Sequence, residues 1–213
     1  LSLSQMATGN FGRPGGGTWW IEGSANWFAS VAVPPPSFVR YDVENFDTDS
    51  PRVPLNKMAY EAYVFFAWLG GARGRISIMP FLRGMASNAS ESAQRRAMMA
   101  AMPANEWLSF AKDYLDQRIR DGQGASIPSS PVFIDTFTWE SARLQTLNPV
   151  PFVIQRANLR LHCGRWRMTA RPSAYAISTN ADAAWSLFPA SIDAMSVGVR
   201  EFRFVSMATS LSN

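Results

Sequence analysis

Residue types able to do chemistry are few in this chain and poorly grouped. His162 is the single histidine and is followed directly by Cys163, the single cysteine. A thiol and an imidazole make a nucleophile and its base when the ring can reach the sulfur. Both residues lie in a strand-like run, where neighbours point to opposite faces, so the pair is expected to be structural. One His and one Cys also fall short of the three or four ligands that zinc requires. The nucleophile-elbow pattern Gly-x-Ser-x-Gly does not occur, and the glycine-rich stretches at 15–17 and 70–74 lack the Gly-Lys-Ser/Thr ending of a phosphate loop.

Carboxylates are densest at Asp42, Glu44, Asp47 and Asp49, which with Asn45 offer oxygen ligands of the kind a hard cation takes. The spacing of a calcium loop and its closing glutamate are absent, so a solvated acidic loop after a strand is expected. An enzyme without histidine chemistry would have to draw on residues such as Asp135 and Glu140, which read equally well as turn and strand-face residues. The expectation is therefore a protein that is not an enzyme, with no catalytic residue, no cofactor and no metal.

Twenty Lys plus Arg stand against sixteen Asp plus Glu, a net charge of +4, and the basic residues are nearly all arginine. Nucleic-acid affinity comes from neutralising several neighbouring phosphates. The only groupings suited to that are Arg95-Arg96 and the series Arg160, Arg165, Arg167 and Arg171. Arg165 and Arg167 alternate with Trp166 and Met168, the pattern of a solvated or interface-facing strand. A lone cysteine excludes an internal disulfide and suits a chain assembled in a reducing cytoplasm. The longest apolar run, Ala62 to Leu69, is too short to span a membrane, so a soluble chain without a membrane span is expected. The opening residues show no basic start followed by an apolar block, and Leu1 suits a processing site.

Residues 1–18 are rich in Ser, Gly, Asn and Thr and read as a flexible arm. The aromatic stretch from Trp19 to Val33 leads into Pro34-Pro35-Pro36, which favours a sheet edge or connection. Phe38 to Val43 alternates as a half-buried strand does. Met58 to Met79 reads as two strands or one bent strand about a glycine break, from its aromatic and β-branched residues. A buried helix beginning near Asn56 would also suit that run, and periodicity does not separate the two. Between 86 and 121 the pattern turns helical. Asn88 with Glu91 resembles a cap, Pro103 interrupts, and Trp107, Phe110, Ala111, Tyr114, Leu115 and Ile119 recur at helical spacing. Strands resume at 132–138, 144–147, 152–155, 159–169 and 199–207, as in a sandwich or jelly roll.

Three segments carry a resemblance. Ala59-Tyr60-Glu61-Ala62-Tyr63-Val64-Phe65-Phe66-Ala67-Trp68, followed by Arg73-Gly74-Arg75-Ile76-Ser77-Ile78, resembles the aromatic strand and Arg-Gly turn of picorna-like virus coat proteins, with Leu69 to Ala72 inserted and Arg75 where serine is commoner. Pro149-Val150-Pro151-Phe152 is similar to that family's Val-Pro-aromatic strand. Val199-Arg200-Glu201-Phe202-Arg203-Phe204 is similar to its terminal strand. The resemblance, closest to the dicistrovirus and marine RNA virus type, implies a mainly β chain. Residues 19–213 would form one antiparallel eight-stranded jelly-roll domain, with a helical insertion over about 88–121 and the arm extended. It implies a coat protein packing beside sister coat subunits in an icosahedral shell around a positive-strand RNA genome, with weak RNA contact at most, in virions assembled in the host cytoplasm. The alternative is a carbohydrate-binding β-sandwich whose exposed aromatics stack on sugars.

Overall fold

The structure is a computed structural model that describes residues 18–33, 38–85, 90–121, 124–127, 135–139, 152–161, 164–169, 175–179, 186–187, 191–196 and 200–206. The chain divides into two compact units, Leu1–Pro131 and Val132–Asn213.

The first unit is helical. Helix α1 spans Trp19–Ala32, α2 Phe38–Asp49, α3 Tyr63–Ala72, α4 Ile78–Gly84, α5 Glu91–Ala101 and α6 Ala104–Leu115. Short 3-10 turns cover Leu55–Lys57, Tyr60–Ala62 and Arg75–Ser77, and the strands β1 (Ile119–Arg120) and β2 (Ser126–Ile127) pair antiparallel. The jelly-roll expectation is overturned here, because the stretches 38–43 and 58–79 that were expected to be strands are helices and 3-10 turns.

The local reasons are legible in the burial pattern. In α1 the buried positions are Trp19, Trp20, Gly23, Ser24, Trp27 and Ser30, one face of a helix, and the prolines after Val33 prevent continuation. Asp42 and Phe46 of α2 and Ser50 just after it are buried at intervals of four, and Pro51 follows. Helix α3 is buried on every side from Tyr63 to Gly70, so it has no polar face. An all-round apolar helix has no 3.6-residue pattern to read. Ser90 caps α5 by accepting from the Ala93 N–H at 3.4 Å, and Pro103 separates α5 from α6. The helical expectation for about 88–121 agrees with α5 and α6 but fails at Ile119, which lies in β1, and the two helices belong to a helical unit and are not an insertion in a sandwich. The proposed cap residue Asn88 lies outside the described residues.

Aromatic rings hold these helices together. Trp19 of α1 stacks on Phe66 at 5.9 Å, Phe65 meets Phe110 of α6 edge-on at 5.4 Å and Phe81 of α4 at 5.4 Å, and Phe46 of α2 meets Tyr114 at 5.0 Å. Two glycines set how closely α1 and α3 approach. A Cβ on Gly23 would come within 2.8 Å of the Ala62 backbone, and one on Gly70 within 2.7 Å of the Trp27 ring.

The second unit contains a five-stranded sheet in the order β3-β4-β9-β6-β7 and a separate pair β5-β8. Its strands are β3 (Asp135–Trp139), β4 (Gln155–Leu161), β5 (Gly164–Thr169), β6 (Tyr175–Thr179), β7 (Ser186–Leu187), β8 (Ser191–Ser196) and β9 (Arg200–Ser206). β4 pairs antiparallel with β9, with Leu159 opposite Phe202, but β3 pairs parallel with β4, with Phe137 opposite Leu159. A wholly antiparallel arrangement is therefore excluded for this sheet as well. The strands expected at 132–138, 159–169 and 199–207 overlap β3, β4, β5 and β9. Among the described residues no helix is long and apolar enough to cross a membrane.

Replacing Gly23 by Ala forces a Cβ into backbone that has no flexible end to move, and should destabilise the unit by about 1–3 kcal/mol. Gly71 is also helical but faces open space, so Gly71→Ala should stabilise by about 0.5–1 kcal/mol. Urea unfolding of the two variants beside the parent checks both signs.

Candidate functional site

The most perturbed ionisable groups of the first unit gather where α1, α2 and the Tyr60–Ala62 turn pack together. Asp42 is carried on the inner face of α2 and is only 8% exposed. Asn26 of α1 donates its Nδ2 hydrogen to Asp42 Oδ2 at 2.7 Å. Burial first and then the negative charge of Glu61 raise the Asp42 carboxyl, the Asn26 hydrogen bond works against both, and the outcome is about 6. Tyr63, the first residue of α3, is buried beneath this group. Its hydroxyl is raised to about 12, chiefly by burial, with the Ser30 hydroxyl opposing and the charges of Asp121 and Asp42 adding to the rise.

A carboxyl that titrates near 6 beside a second carboxylate is able to hold or release a proton close to neutral pH. In the same stretch Asp47 is spent on structure. The Tyr114 hydroxyl donates to Asp47 Oδ1 at 2.5 Å, joining α6 to α2, and the Glu44 backbone carbonyl accepts from Thr48 Oγ1 at 3.0 Å. Because α2 is a helix, Asp42, Glu44, Asp47 and Asp49 point in several directions. They do not form the acidic loop expected after a strand. Among the described residues no group of three His, Cys, Asp or Glu side chains converges as a metal site would.

Elsewhere the sequence candidates stay apart. His162, Cys163, Glu140, Arg171 and glycines 15–17 lie outside the described residues. Asp135 opens β3, opposite Ala157. Arg160 lies on β4 opposite Glu201, and Arg165 and Arg167 lie on β5 opposite Met195 and Asp193. Of the 70–74 glycines, Gly70 is packed on Trp27, whereas Gly74 has φ +80° and turns the chain out of α3. Sequence reading missed Asn26, Glu61 and Tyr63. Their proximity to Asp42 depends on α1 and α2 being helices, and no motif spacing signals it.

Comparison of the chain with protein-family models, with curated proteins and with solved structures finds no match in any of the three.

Asp42 has a folded-state pKa above its unfolded value of 3.8, so the native state favours the neutral carboxyl. That stabilisation is complete below about pH 4 and is lost as pH rises through about 6. The full shift corresponds to about 3 kcal/mol, and partial solvent screening leaves about 1–2 kcal/mol. Asp42→Asn keeps an acceptor for Asn26 and carries no charge. It should raise stability by that amount near about pH 7.5 and leave it little changed near about pH 4, as read from urea unfolding at the two pH values. Glu61→Gln should lower the Asp42 titration midpoint seen by carboxyl NMR.

Proposed function

We propose that this chain is a non-catalytic subunit that works by assembling with other polypeptide chains. The observation that carries the reading is the exposure of large apolar side chains on a unit whose core is already closed. Ile76 is 88% exposed, Tyr41 66%, Val33 63% and Tyr60 52%. Burying a side chain of that size is worth about 1.5–3 kcal/mol, which an association surface recovers and an isolated unit forgoes. Arginine, favoured at interfaces, is exposed on the same unit at Arg52, Arg75, Arg83 and Arg96.

A virus coat is the specific assembly to which the resemblance points. Its first motif, Ala59 to Ile78, is helical here, so support for that form now rests on the segments at 149–152 and 199–204, of which residues 200–204 lie in β9. Exposed Tyr41 and Tyr60, each next to a carboxylate in sequence, favour the second reading, a sugar-binding surface carried by helices.

Electron microscopy and mass spectrometry on native source material separate the two. Uniform particles containing this chain with similar-sized partner chains and RNA are expected for the coat form, and a defined complex without RNA for another assembly. A monodisperse monomer that binds an oligosaccharide, and loses it in Tyr41→Ala or Tyr60→Ala, would replace the assembly reading.

A further inference from the structure

Basic and acidic residues are unevenly placed along the first unit. Residues 18–61 hold three basic and six acidic residues and residues 106–127 hold three and four, whereas residues 62–105 hold five arginines against Glu91 alone. Of the five, Arg73 forms an ion pair with Glu106 of α6 and donates to the Ala101 carbonyl at the end of α5 at 3.2 Å. Arg75, Arg83 and Arg96 are exposed and form no ion pair or side-chain hydrogen bond among the described residues.

Arg75 and Arg83 lie at the two ends of one continuous helical stretch. The Arg75–Ser77 turn runs directly into α4, which buries Ile78, Phe81 and Leu82 and packs on α5, the helix that carries Arg96. The other side of that stretch faces outward. Ile76, 88% exposed, is followed one turn later by partly exposed Met79 and two turns later by Arg83, at the i, i+3, i+7 spacing of a single helix face. Seven residues place Ile76 and Arg83 about 10 Å apart. The face thus sets an exposed aliphatic group among arginines that have no acid to pair with.

Anionic partners of different kinds ask different things of such a face. Single-stranded nucleic acid stacks its bases on aromatic rings, but the one aromatic residue between 73 and 103, Phe81, is buried. Protein interfaces centre on aromatic anchors as well. A phospholipid surface asks instead for arginines at the level of the phosphates and an aliphatic side chain that reaches past them toward the acyl chains. Ile76 beside Arg75, with Met79 one turn on and Arg83 two turns on, meets that requirement.

We infer that the face formed by Arg75, Ile76, Met79 and Arg83 binds reversibly to the surface of an anionic phospholipid bilayer, with Ile76 at the headgroup boundary and the arginines on lipid phosphates. This goes beyond the assembly reading and does not rest on it, since Val33, Tyr41 and Tyr60 remain for protein partners. A few arginines and one aliphatic knob make a weak contact, and salt weakens it further.

The test is flotation of the full chain with vesicles of mixed phosphatidylserine and phosphatidylcholine, beside vesicles of phosphatidylcholine alone, at low and high NaCl. The parent should float with the anionic vesicles at low NaCl, about tenfold more weakly at high NaCl, and not with the neutral ones. Arg75→Glu with Arg83→Glu should weaken binding at least about 25-fold, at about fivefold per arginine. Arg52→Glu with Arg118→Glu changes net charge equally outside this stretch and should keep binding within about threefold of the parent. Ile76→Ser leaves every charge in place and should weaken binding about tenfold. All five positions are exposed, and native circular dichroism checks each variant. A parent that does not float with anionic vesicles at low NaCl overturns the inference, as does one that binds single-stranded RNA or an acidic peptide but no vesicle. Binding that Ile76→Ser leaves unchanged overturns it too, as does equal weakening by the two arginine pairs, because net charge alone would then account for the attraction.

Discussion

Helix α3 is buried from Tyr63 to Gly70 without a solvent-facing side, and the first unit is arranged to make that tolerable. A helix of this kind satisfies its own backbone hydrogen bonds, so the remaining requirement is contact on every face. Glycine supplies it toward α1, where Gly23 lets the backbones close in and Gly70 leaves room for the Trp27 ring. Aromatic rings supply it elsewhere, with Phe65 touching Trp19, Phe81 and Phe110 from three different helices. Removing one ring would leave a void lined by the others, so the arrangement is all-or-none in character.

Some of the polar groups in this interior join helices. Trp68 of α3 donates its indole hydrogen to Asp113 of α6 at 3.0 Å, and Tyr114, one residue on, donates to Asp47 of α2. Hydrogen bonds to charged acceptors contribute more than neutral ones, and they fix the rotation of α6 about its axis in a way that apolar contact alone does not. Asp42 is the exception, because its neighbour is another carboxylate. Asn26 offsets only part of the burial penalty. A carboxyl left in that state is a place where stability depends on pH.

How much of this could be read from the sequence depends on which face of each element meets water. Helix α6 was legible, since Trp107, Phe110, Ala111, Tyr114 and Leu115 are buried at the spacing that suggested it. Helix α5 was legible through its composition and Pro103. β9 was legible through the alternation of Glu201, Phe202, Arg203 and Phe204. Helix α3 was not, because continuous burial erases periodicity and leaves only residue preference, which favours strands for Tyr, Val, Phe and Trp. The alternation in Phe38 to Val43 was genuine but too short to exclude a helix with buried Asp42 and Phe46. The acidic cluster was visible as composition. Its chemistry was not, because Asn26 and Glu61 reach Asp42 only through the packing of α1 and the Tyr60–Ala62 turn on α2.

The same error bears on the family resemblance. Tyr60 to Trp68 is a string of aromatic residues, and such a string is informative in a coat protein because alternate members face the sheet interior. In a helix buried on all sides the same residues are selected for bulk alone, so matching letters no longer imply matching roles. What α3 does instead is set two differently charged ends about 15 Å apart, with Glu61 before it and Arg73 and Arg75 after it. Fixing opposite charges at the ends of a rigid, fully packed rod prevents them from collapsing onto each other within one copy. Arg73 is held by Glu106 and the Ala101 carbonyl, so of the two arginines that follow α3 only Arg75 is left without an ion pair among the described residues.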